Sequence, residues 1–159
     1  MTITDYRDLF ATVRKRPKMW LIRGDFASVV AFVEGCNQAN ARTLLIGFQP
    51  WLVTRAGCLN NHVWWSIVAH LTEPVGLTNV RDTDPDLDAR TVETLFDLLD
   101  EFLELRDEDD GLNRIFAAHE QWRRLRDQDG CGATEGHACP TVAWPRAASR
   151  VGAHTDDIH

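Results

Sequence analysis

Between Asp82 and Asp110 the chain carries thirteen carboxylates against two arginines, Arg90 and Arg106. Glu93, Asp97, Asp100, Glu101, Glu104 and Asp107 recur mostly three or four residues apart, so on a helix they share one side. Such a row has two uses. It is the solvated face of an amphipathic helix, or it is a negative surface that steers a cationic partner into contact. Like charges at this spacing weaken an isolated helix, which lends weight to the second use. A docking surface also needs a desolvated anchor. Trp65, adjacent to Trp64 in a helical stretch, must point away from its neighbour and is the expected exposed ring.

Other chemistry has less to rest on. Cys131, His137 and Cys139 put three metal-ligating groups within nine residues, with His154 or His159 as a fourth. Zinc accepts such groups, but the two-residue cysteine knuckle is missing, so no resident metal or other cofactor is expected. Cys58 and His62 are four apart, but Asn60 and Asn61 interrupt the helix that would align them. No nucleophile elbow, zinc-protease helix or phosphate-binding glycine loop occurs. His70 and His119 lie beside apolar helix faces, where a structural histidine is the default. The expectation is a protein that is not an enzyme.

The stretch RKRPKMWL, Arg14 to Leu21, offers Arg14, Lys15, Arg16 and Lys18 to an anion, or simply ends a helix. Terminal cations suit the negative end of the helix dipole, and proline stops the turn. The second reading is preferred, with Met19 and Trp20 folding back onto the core.

Helices must position these groups. Tyr6, Leu9, Phe10 and Val13 form one stripe ended by Pro17; Phe26, Val29, Val30, Val33 and Cys36 form another, capped by Asp25. Gly35 within that second stripe is expected to admit a neighbouring helix or ring. Residues 43–48 fit a strand or a helix, with a short helix from Pro50 to Ala56 stopped by Gly57. Asn60 and Asn61 are expected caps for a helix burying Trp64, Ile67, Val68 and Leu71. Asp84 to Arg106 has a cap, a first-turn proline and a broad apolar face. Asn113 is expected to cap a last helix carrying Ile115, Phe116, His119, Trp122 and Leu125. Residues 1–126 thus read as one mainly α domain, a compact bundle of five or six helices. Residues 127–159, rich in small residues and without periodicity, read as an irregular extension packed in part through Val142 and Trp144.

Bulk properties narrow the partners. The net charge is −7 and the sequence pI is about 5.3, which argues against general affinity for nucleic acid or anionic lipid and permits a basic protein. No apolar run approaches the roughly 18 residues that span a bilayer, and no export signal opens the chain, so a cytoplasmic protein is expected.

Two resemblances follow. Val13 to Leu21, VRKRPKMWL, resembles a segment before the ATP-binding helix in the B subunit of DNA gyrase and related ATPases. That likeness would give Glu34 the catalytic role and Asn37 the Mg²⁺ role, in a nucleotide-binding protein or small enzyme. The adenine-site motif of that family is absent: in DQDGCG, Gln128 stands where its aspartate belongs. The chain also resembles, over residues 5–106, a widespread family of small bacterial proteins, some of them immunity proteins beside toxins. The matching segments are KRPKMWL (Lys15 to Leu21), AFVEGC (Ala31 to Cys36), GFQPWL (Gly47 to Leu52), Trp64–Trp65 and ETLFDLLDEFLE (Glu93 to Glu104). Lys18 and Ile22 replace usual glycines, and Trp20 and Cys36 replace usual tyrosines. This resemblance implies a non-catalytic module that binds a cognate basic toxin through the acidic helix and Trp65.

Overall fold

The computed structural model describes residues 5–73 and 84–128. They form seven α-helices and no strand: α1 (Tyr6–Lys15), α2 (Pro17–Trp20), α3 (Phe26–Ala39), α4 (Phe48–Ala56), α5 (Trp64–Thr72), α6 (Pro85–Asp107) and α7 (Gly111–Gln128). None is long and apolar enough to cross a membrane.

The helix starts follow local chemistry. The Asp5 carboxylate accepts the Arg7 amide at 2.8 Å, and that of Asp25 accepts the Ser28 amide at 2.9 Å. Asp84 caps α6 and Pro85 occupies its first position. One cap comes from afar. Asp88 on α6 accepts the Phe26 amide at 3.1 Å, so a carboxylate of one helix satisfies the positive end of another.

α6 is the axis, about 35 Å long at 1.5 Å per residue. It packs against α1, α3, α5 and α7, while α4 lies between α5 and α7. Nine of its residues are buried, among them Leu95, Leu99, Phe102 and Leu103. Phe102 meets Phe48 at a ring separation of 4.9 Å and Trp51 at 5.8 Å, and Trp64 reaches Phe48 at 5.6 Å. These tilted rings, each nearly or fully buried, join three helices, α4, α5 and α6, in one apolar centre.

Glycine is required at two corners. Gly47 opens α4 with φ of 86°, and a Cβ there would press on Leu112 at 3.2 Å. At Gly111 a Cβ would lie 2.0 Å from the Leu105 carbonyl oxygen, so only glycine lets α7 start so close to α6.

Several expectations change. The helices among the described residues number seven because Pro17 starts a separate turn, α2, as well as ending α1. Met19 and Trp20 do not fold into the core: they are 72% and 44% exposed, since the one-turn α2 projects them outward. Gly35 meets no atom within 4 Å of its would-be Cβ and admits no neighbour. Residues 44–47 are turns, and α4 begins at Phe48, ahead of Pro50. Asn60 and Asn61 lie in the turn before α5, whose N-cap is Val63 without a side-chain bond. α7 begins at Gly111 and runs to Gln128, past the expected boundary at 126. The expected irregular extension lies almost wholly outside the described residues.

Candidate protein-binding surface

α1 lies along α6 in the opposite direction, and two arginines fix the seam. Arg14 contacts Glu93 at 2.6 Å and Asp97 at 2.7 Å. Arg7 contacts Asp100 at 2.8 Å and Glu104 at 3.7 Å. Arg7 and Arg14 are seven residues apart, and so are Glu93 and Asp100, and Asp97 and Glu104. Two turns of each helix therefore return the same pairing. Arg55 on α4 reaches Glu101 at 2.7 Å from the other flank, its guanidinium 5.2 Å from the Trp51 ring centre. Arg106 pairs with Asp107 at 3.1 Å and donates to the Leu44 carbonyl at 2.7 Å.

All six predicted carboxylates are thus exposed on one ridge, and each has a cationic neighbour. Against them stand four guanidiniums, so the ridge retains about two formal negative charges rather than six. The Arg7 guanidinium is held further towards its charged form, chiefly by its hydrogen bond to Asp100. For Arg14, burial acts the other way, and the bonds to Asp97 and Glu93 together overcome it. Between the two helices lies a groove of about 520 Å³, with Phe10, Phe96 and Leu103 among its lining and the Arg7 and Arg14 pairs at its rim.

Negative charge continues past the ridge into the α6–α7 turn, Asp107 to Asp110. All four residues are exposed, Glu108 pairs with Arg114 at 2.6 Å, and Asp109 makes no ion pair among the described residues. The turn sits at the negative end of the α6 dipole, where carboxylates are disfavoured. Asp110 offsets part of this: it adopts φ of 59° and accepts from Asn113 at 3.2 Å in the first turn of α7.

Trp65 is only partly exposed. It packs on the core and stands edge-on to Trp64, ring centres 5.5 Å apart. Among the described residues the projecting tryptophan is Trp20, at the opposite end of α1 from Arg7.

Glu34 and Asn37 both hold structural bonds. Glu34 accepts the Trp64 indole N–H at 2.6 Å. Asn37 is buried and accepts the Leu45 amide at 3.1 Å, tying the turn after α3. The Cys58 thiol lies 3.8 Å from His70 Nε2, a pairing between the α4 exit and α5 that the spacing to His62 did not foretell. Burial pushes the Cys36 thiol up. His119 stacks on Trp122 at 5.7 Å, and burial, then Arg123, push its imidazole below its ordinary value. Among the described residues no three His, Cys, Asp or Glu side chains gather as a metal would need. Cys131, His137 and Cys139 lie outside the described residues.

Sequence reasoning missed the arginine partners Arg7, Arg14 and Arg55. The shared interval of seven was the available signal for the first two. Compared with family models, curated proteins and solved structures, the chain finds no match.

Proposed function

We propose that this chain is a non-catalytic protein-binding module, an immunity protein that neutralises a cognate bacterial toxin in the cytoplasm. The observation that carries the reading is the acidic ridge of α6 continuing into the Asp107 to Asp110 turn. Ordered carboxylates at a fixed pitch, already engaged by guanidiniums, are complementary to the cationic cleft of a protein that handles nucleic acid. A toxin's own arginines can replace Arg7 and Arg14 at the same oxygens without rebuilding the helix. The turn, where two of four carboxylates lack a cationic neighbour among the described residues, supplies long-range attraction. The roles of Glu34 and Asn37 in holding Trp64 and Leu45 favour packing over nucleotide chemistry at those positions.

The test is co-expression with the product of the adjacent gene. Rescue of growth by the intact chain, lost on Asp109→Lys with Glu108→Lys, supports the reading. Failure of the intact chain to rescue or to bind that product sinks it.

A further inference from the structure

Three of the five described cations without an acidic partner gather at one place. Of fourteen described lysines and arginines, nine contact a carboxylate. Arg42 bonds Gln38 at 3.1 Å, and Arg126 lies over the Trp122 ring at 5.0 Å. The remaining three are Lys15, Arg16 and Lys18, all exposed. The two most exposed large apolar groups among the described residues stand beside them, Ile22 fully in solvent and Met19 at 72%, together with Trp20 at 44%.

The corner is built as a protrusion. Leu21 between the exposed groups is partly buried against the core and anchors it. Gly24 lies against the Pro17 ring, where a Cβ would meet it at 3.7 Å, so the two arms close on each other. Arg23 is held by Asp25 at 2.9 Å. On the neighbouring stretch of α6, Glu93 and Asp97 share Arg14, which offsets one of their two charges, and Asp88 is taken up by the Phe26 amide at 3.1 Å.

We propose that the corner of residues 15–23 docks peripherally on an anionic lipid surface. The tip is a one-turn helix and its exit, a handful of exposed side chains, whereas an ordinary protein interface takes roughly 800 Å² and 20–30 residues per partner. A bilayer needs only a tip: Met, Trp and Ile enter the headgroup boundary, where tryptophan is favoured, while lysine and arginine meet anionic headgroups. The net charge of −7 misleads here because the charges are segregated. At physiological salt the field of the distant acids is screened beyond about 8 Å. The contact is independent of the proposed toxin-binding ridge.

Sedimentation of the full chain with sucrose-loaded vesicles tests this. The chain should pellet with equimolar phosphatidylcholine and phosphatidylglycerol at low salt, weaken as salt rises, and stay in solution with phosphatidylcholine alone. Lys18→Glu should weaken partition about fivefold or more, and Ile22→Ser should weaken it without altering the salt dependence. These side chains are exposed, so the variants keep the parental circular dichroism and melting point. Brominated lipid should quench the intact chain more than Trp20→Phe. No pelleting at low salt, equal pelleting with both lipids, or variants that bind as the parent does would each overturn the proposal. So would tip variants that keep vesicle binding yet lose the toxin, which would make the corner a protein contact.

Discussion

Glu34 on α3 accepts the indole N–H of Trp64 on α5 at 2.6 Å, and Trp64 is 6% exposed. Two helices that both lean on α6 are thereby joined directly. Glu34→Ala would leave a buried donor without a partner and should lower stability by about 1–3 kcal/mol in urea unfolding. Glu34→Gln retains an acceptor and should recover most of that. If Glu34 instead served nucleotide chemistry, both variants would fold as the parent and lose ATP binding measured by calorimetry.

Two glycines should respond in opposite directions. Gly111→Ala forces a carbon to 2.0 Å from the Leu105 oxygen, which only a backbone shift relieves, and should cost about 2–4 kcal/mol. Gly35→Ala meets open space in mid-helix and should gain about 0.5–1 kcal/mol. Thermal melts of the two single variants decide both.

The His119 ring titrates below its ordinary 6.5 because burial disfavours its charge; Arg123 adds to this and Glu120 opposes it. The unfolded chain therefore binds this proton more readily. Stability from this group is intact above about pH 6.5 and declines as the pH falls through the folded value. Asp25, held below the usual carboxylate range by Ser28, first through the side-chain bond and then the amide, acts only in a lower window, beneath about pH 3.8. Urea midpoints across the mildly acidic range should slope for the parent and flatten for His119→Gln.

Removing the seam arginines separates stability from steering. Arg7→Gln with Arg14→Gln should cost roughly 1 kcal/mol or less per site, since both pairs are well exposed to solvent. The ridge becomes two charges more negative, so association with a basic toxin should accelerate, most clearly at low salt. Stopped-flow rates that do not change would place the contact away from α6.

Much of the helical frame was legible from periodicity. The stripe Leu9, Phe10 and Val13, the capped start at Asp84 and Pro85, and the burial of Trp51, Trp64 and Trp122 depend on local spacing and apolar area. Trp20 misled because an apolar residue beside a proline looks like core, yet one turn of helix is too short to turn it inward. Gly35 misled because glycine signals either close approach or mere tolerance, and only neighbouring atoms distinguish them. The ridge itself was visible, but its compensation was not: Arg55 comes from an element whose position no pattern on α6 reveals.

The matched intervals make the α1–α6 seam a vernier with a preferred direction of travel. A one-turn slide of α1 towards Asp107 still offers Arg14 the acids at 97 and 100, and Arg7 those at 104 and 107. The opposite slide leaves Arg7 the acids at 97 and 100 but gives Arg14 only Glu93, with Arg90 beside it. Phe10 must reseat in either case, so the rest position is held by packing, while the charges bias which way an intruding cation can push the helix.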